Sequence, residues 1–114
     1  MKLPTPIKIG TQYWDVHERA RKSDAALLED SYGYTIDKDN QIVIDKDLPL
    51  SRKRTTLFHE LLHAIRFTYA QIVPGKGTSF EDWEHYFIAH YDETVVTVLR
   101  ENPDLVAYLL HDDA

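Results

Sequence analysis

The stretch Thr56-Leu57-Phe58-His59-Glu60-Leu61-Leu62-His63-Ala64-Ile65 decides how the rest of this chain is read. Its apolar residues recur with helical spacing inside a segment from Ser51 to Tyr69, which reads as one long helix with Ser51 as its N-cap. At about 3.6 residues per turn, His59 and His63 stand one above the other, so both imidazoles can reach a single metal ion. Glu60 lies about 100° around the helix from His59, beside that ion, where a carboxylate can take a proton from a bound water. On a helical wheel, Leu57, Phe58, Leu61, Leu62, Ala64 and Ile65 fill most of the circumference, which predicts a central helix buried on nearly every side. Two imidazoles and a carboxylate buried there would each need a partner, and a shared metal supplies one. The plain alternative is a His–Glu network that satisfies its own hydrogen bonds.

Composition narrows the chemistry. The 114 residues include no cysteine, so disulfides, thiolate nucleophiles and sulfur-based metal centres are excluded, and any metal ligands are His, Asp or Glu. With 13 Lys plus Arg against 19 Asp plus Glu, the net charge of −6 argues against a nucleic-acid partner, which needs clustered cations. The one basic run, Arg52-Lys53-Arg54, reads as a solvated helix start. The opening Met1-Lys2-Leu3-Pro4-Thr5-Pro6 has no apolar run of signal-peptide length, and no stretch reaches the roughly 18 apolar residues of a membrane span. A soluble cytoplasmic protein is expected, folded as a single domain over residues 1–114.

Working outward from the helix, the first part of the chain reads as β-rich. Ile7, Ile9 and Thr11 alternate with Lys8, Gly10 and Gln12 in a half-buried strand running toward Tyr13 and Trp14. Ala20, Leu27 and Leu28 suit a helix between Val16 and Leu28, and Gly33 between two tyrosines marks a bend or strand entry. Residues 34–45 read as a hairpin, with β-branched runs around an Asp/Asn-rich turn. Beyond the central helix, Pro74-Gly75-Lys76-Gly77 breaks the chain. Thr78 or Ser79 then caps a second long helix from Phe80 to Arg100, with Asp82 in its first turn. Asn102-Pro103 ends that helix, and a short one from Asp104 to Leu110 follows. The fold class is α+β: a small antiparallel or mixed sheet packed on the central helix, with a second long helix and a short C-terminal one.

A catalytic zinc takes three protein ligands and leaves a position for water, so a third ligand should come from the second long helix. Positions 80, 84, 87, 88, 91, 95, 98 and 99 form an apolar stripe interrupted only by Glu84, which predicts that Glu84 faces the core, 21 residues after His63. Glu84 is therefore preferred, with His85 and Glu93 as alternatives. His90 and Arg100, on the face of Glu93, read as solvated. Tyr86 or Tyr91 can supply a phenol to an oxyanion, although aromatic residues on helices more often pack in cores.

The segment from Thr56 to Ile65, preceded by Ile42-Val43-Ile44-Asp45 and Leu50-Ser51, resembles the small zincin metallopeptidases, in particular the ImmA/IrrE-type proteins of bacteria and phages. It is also similar to the wider gluzincin group. The likeness covers roughly residues 32 to 103 and is specific at the HExxH helix. It implies a minimal zincin-like fold, Zn²⁺ held by His59, His63 and Glu84, and Glu60 as general base and proton shuttle acting on a peptide or protein substrate. Leu62 departs from the small residue that larger relatives carry before the second His, and the chain is too short for their DNA-binding or sensor domains. Two functions follow as expectations: a zinc-dependent peptidase, in which a strand near Ile42 to Ile44 aligns the substrate, or a catalytically inactive zincin-fold module that keeps a metal and serves regulation or protein interaction.

Overall fold

A computed structural model describes residues 2–28, 31–69 and 79–111. The chain opens with β1 (Ile7–Ile9) and β2 (Gln12–Arg19), joined by a two-residue turn in which Gly10 takes a φ of +59°. A two-residue hairpin turn that starts on a positive φ favours glycine there. Strand β2 continues through Val16 to Arg19, where a helix was expected. Its period is two: Trp14 and Val16 are buried while Tyr13 and Asp15 are exposed. Helical structure in this region is confined to a single 3-10 turn at Arg21–Ser23 and to α1 (Ala25–Leu28).

Strands β3 (Gly33–Ile36) and β4 (Gln41–Asp45) form the expected hairpin, with Asn40 at a φ of +52° closing the turn. The sheet order is β1-β2-β4-β3; β2 and β4 are parallel and the other pairs antiparallel. The sheet is therefore mixed, and the α+β class holds. Strand β4 is interior, and Ile42, Val43 and Ile44 are all fully buried. Ile42 and Ile44 join the core under the long helix, whereas the alternation of the strand turns Val43 to the opposite face. Asp24 fastens the excursion containing α1: its Oδ1 accepts from the backbone N–H of Ala26 at 3.0 Å, and its Oδ2 accepts from the Tyr34 hydroxyl at 2.7 Å.

Helix α2 (Leu50–Thr68) carries the HExxH residues. It starts one residue before the expected Ser51 cap. Pro49, at φ −60° and ψ 152°, is the cap residue, and its carbonyl accepts from the N–H groups of Arg52 and Lys53. The helix lays Leu57, Leu61, Ala64 and Ile65 against the sheet, where they meet Ile7, Ile9, Trp14, Val16, Ile42 and Ile44. The prediction of burial on nearly every side does not hold: His59, His63 and Phe58 lie on an exposed flank. A helix packed on one sheet face buries one stripe, and the described residues leave the flank carrying Phe58, His59 and His63 exposed.

Helix α3 (Phe80–Glu101) begins as expected at Ser79, in a capping box with Asp82. The predicted break at residues 74–77 and Thr78 lie outside the described residues. The apolar stripe of α3 is covered only in its second half. Val98 is buried and Tyr91, Val95 and Leu99 pack on the core, but Phe80 is 79% and Ile88 58% exposed. Among the described residues, α3 lies chiefly against β1 and α4 (Pro103–Leu110), and its buried residue, Val98, stands near its C-terminal end. Glu84, in the uncovered half, is exposed, which corrects the expectation that it faces the core.

Asn102, between α3 and α4, ties that end of the molecule to β1. Its Oδ1 accepts from the Lys8 N–H at 2.8 Å, and its Nδ2 donates to the Lys8 carbonyl at 2.8 Å and to the Val98 carbonyl at 2.7 Å. The side-chain amide thus pairs with the edge of β1 as a neighbouring strand would. Asn102→Ala removes all three bonds from a largely buried position and is expected to cost roughly 2–4 kcal/mol, measured by urea unfolding.

Candidate active site

The site is built on two neighbouring stripes of α2. Glu60 belongs to the stripe that faces the sheet and is only 6% exposed. Its Oε1 accepts a hydrogen bond from the Thr35 hydroxyl of β3 at 2.8 Å, and the same hydroxyl lies 3.2 Å from the Glu60 carbonyl oxygen. The second carboxylate oxygen, Oε2, stands 3.9 Å from Nε2 of His59. Burial of a carboxylate without a donor would be costly; Thr35 supplies one donor and leaves Oε2 directed toward the histidine.

Such close seating of α2 on β3 depends on Gly33. A Cβ at that position would meet the Val43 carbonyl oxygen at 2.7 Å and Cγ2 of Thr56 at 2.9 Å. Neither neighbour can move freely, since one is sheet backbone and the other a buried residue of α2. Gly33 and Thr35, two residues apart, share the strand face that meets the helix.

His59 and His63 occupy the exposed stripe with ring centroids 5.0 Å apart, so the i, i+4 spacing does place both imidazoles together. The His59 side chain is 68% exposed, and His63 stacks on Phe67 with a centroid separation of 6.4 Å. The expectation that both histidines are buried and in need of a partner is thereby corrected. Their nitrogens are open to an external ligand because the helix flank that carries them is uncovered.

Two clefts flank the pair, and His59 lines both. One, of about 290 Å³, lies between the start of β3 and α2 and is walled by Ser31, Tyr32, Gly33, Arg52, Thr55, Thr56, His59 and Glu60. The other, of about 340 Å³, separates α2 from α3 and is lined by His59, Leu62, His63, Arg66, Tyr86, Phe87 and Tyr91. Both tyrosines singled out in the sequence thus face the histidine pair across this cavity. Burial pushes the Tyr91 phenol up from its ordinary pKa, against the opposing charge of Arg66, so it keeps its proton at neutral pH.

Neither Glu84 nor Glu93 lines that cavity, and both are exposed, as is His85. Glu84 shares the azimuth of Tyr91 to within about 20°, but it stands roughly 10 Å nearer the start of α3. Glu93 lies roughly 3 Å beyond Tyr91 along the axis, on the side of Tyr86. Among the described residues, no three His, Asp or Glu side chains are gathered closely enough to hold an ion. His90 differs from its expected solvated state: its Nε2 is buried without a hydrogen-bond partner among the described residues, and burial lowers its pKa.

Gly33, Thr35, Tyr32 and Arg52 were not singled out as site residues in the sequence. A glycine within a strand signals close backbone approach, and that signal was present at Gly33. Nothing local to Thr35 announces its bond to a helix 25 residues later.

The model of the IrrE N-terminal-like domain, the peptidase M78 family, matches residues 17–93, and this chain belongs to that family. The matched segment runs from β2 through the HExxH helix into α3 and contains every residue considered above as a metal ligand. No curated protein and no solved structure matches the chain. Among the described residues, no helix is long and apolar enough to cross a membrane.

Thr35→Val keeps the volume of the side chain and removes the donor to buried Oε1. It is expected to destabilise the fold by roughly 1–3 kcal/mol in urea unfolding, with Thr35→Ser recovering most of the loss.

Proposed function

We propose that this protein is a zinc-dependent peptidase in which His59 and His63 hold the metal and Glu60 is the general base. The observation that carries this reading is the split environment of the HExxH helix. A buried carboxylate, positioned by Thr35 through one oxygen, has its other oxygen next to an exposed pair of imidazoles. The donor set fits a zinc ion as far as it extends: two imidazoles on one helix face, with room on either side. It also suits other divalent ions, and zinc is preferred because the ligands are imidazoles.

The third ligand is proposed to be a carboxylate of α3. Glu84 has the azimuth of Tyr91 and Glu93 its level along the axis, and both stand on the helix whose Tyr86, Phe87 and Tyr91 wall the cavity facing the histidines. When bound, zinc supplies a Lewis acid that polarises water and the scissile carbonyl. Glu60 takes a proton at Oε2 and returns it to the leaving amine, while Thr35 prevents its carboxylate from rotating away. Tyr86 and Tyr91 stand across the cavity, where their hydroxyls can donate to developing negative charge. The peptide is proposed to align along β3, the terminal strand beside the site. Strand β4, expected in this role from Ile42 to Ile44, is paired on both sides and cannot serve. The reading treats residues 1–114 as one domain acting on peptides or proteins in the cytoplasm.

The competing reading is an inactive zincin-fold module with a closed structural metal. Exposure of His59 and the clefts on both sides of it favour an open position for water over a fourth protein ligand.

Metal analysis of the purified protein is expected to give one zinc per chain, lost in His59→Ala and His63→Ala. Glu60→Gln should retain zinc and lose hydrolysis of a protein substrate by at least about 100-fold, the lower end of the range for a removed general base. Wild-type protein that binds no divalent metal would overturn the proposal. Loss of zinc in Glu84→Ala or in Glu93→Ala identifies the third ligand; retention in both excludes Glu84 and Glu93 as that ligand.

A further inference from the structure

The three consecutive cations at the start of α2 have different fates. Lys53 pairs with Glu18 at 3.4 Å, and Nε of Arg54 donates to the carbonyl of Tyr108 at 2.8 Å. Arg52 has no carboxylate partner among the described residues. Its guanidinium lies over the ring of Tyr32, with Cζ 5.5 Å from the centroid, and both residues line the cleft between β3 and α2. An arginine without a carboxylate partner among the described residues is conspicuous in a chain with 19 acidic residues.

Stacking on an aromatic ring restrains the guanidinium plane and leaves its N–H edges free to form paired bonds with a carboxylate. The remaining wall contributes the hydroxyls of Ser31, Thr55 and Thr56. Glu60, the acidic residue of that wall, has its Oε1 engaged by Thr35 and its Oε2 directed at His59. Arg52 is seven residues before His59 on the same helix, roughly 10 Å along its axis. Extended peptide covers that distance in about three residues.

We propose that this cleft is a specificity subsite for a peptide carboxylate, held by Arg52 about three residues from the bond that faces His59. This inference rests on the reading of the cleft as a peptide-binding site. It selects substrates with Asp or Glu at that position, or with a free C-terminus falling there.

The test uses the full chain carrying Glu60→Gln, so that binding is measured without turnover. Fluorescent peptides with both ends blocked carry one Glu at successive positions, each with a Gln counterpart; a second series has a free C-terminal carboxylate. Glu at one position is expected to improve binding about tenfold over Gln, and Arg52→Gln should abolish the difference. Arg52→Lys should recover part of it. An advantage confined to the free-terminus series identifies the terminal carboxylate as the ligand. Equal binding of Glu, Gln and free-terminus peptides, or a preference that survives Arg52→Gln in a variant with unchanged thermal unfolding, overturns the subsite. Hydrolysis by the wild-type protein without an Arg52-dependent preference would defeat this inference alone. An Arg52-dependent preference with no hydrolysis by the wild-type protein would defeat the peptidase reading and leave the subsite standing.

Discussion

The contact on which the rest of the structure depends is the seat of α2 on β3, where a missing side chain lets a charged one be buried. Gly33 leaves room for Thr56 and Glu60 to approach the strand, and Thr35, on the same face, supplies the hydrogen bond that makes a carboxylate tolerable there. An unpartnered carboxylate so placed would cost several kcal/mol, a large part of the stability of a small domain. The rotation of α2 about its axis is therefore fixed by a polar contact at one edge as well as by the apolar contacts of Leu57, Leu61, Ala64 and Ile65. With Glu60 held against the sheet, the geometry of the helix turns His59 and His63 away from it.

That rotation accounts for the most informative disagreement between sequence and structure. The composition of residues 57–65 is apolar almost all round, and a helix of that kind is ordinarily enclosed. Here the enclosure is one-sided. Phe58, at 37% exposure, lines a third, largely apolar groove with Leu99, Val106 and Leu109, and Leu62 lines the cavity facing α3. Apolar residues on the flanks of α2 thus wall clefts beside the histidines as well as filling core. A wheel drawn on one helix cannot separate these roles, because both present the same residue types at the same angles.

Local pattern carried the elements whose signals lie within a few residues. The β3–β4 hairpin, the Ser79 cap of α3 and the break at Asn102-Pro103 were all legible. The pair of histidines was legible as well, since their spacing alone brings the rings to 5.0 Å. Long-range contacts decided what was missed. Residues 16–19 became strand because β4 pairs with them in parallel, a partner more than 20 residues away that overrides the weak helical character of a charged segment. Glu84 was placed in the core by a stripe that is continuous in sequence but, among the described residues, covered only in the second half of α3. Thr35 and Arg52 gain their meaning from β3 and α2 coming together, which no spacing within either element encodes.

The same juxtaposition couples three tasks to one strand. β3 orients the carboxylate through Thr35, opens the way for α2 through Gly33, and leads in from Tyr32, which restrains Arg52. A peptide added along its free edge would meet these features in a fixed order, so alignment of a substrate and placement of the base are set by a single element. A helix sliding on a flat apolar sheet would offer no such coupling, because apolar packing is tolerant of small shifts and a hydrogen-bonded carboxylate is not. In a small domain with little surface from which to build a separate binding wall, placing base, strand edge and guanidinium on one strand–helix junction is an economical way to hold them within reach of one another.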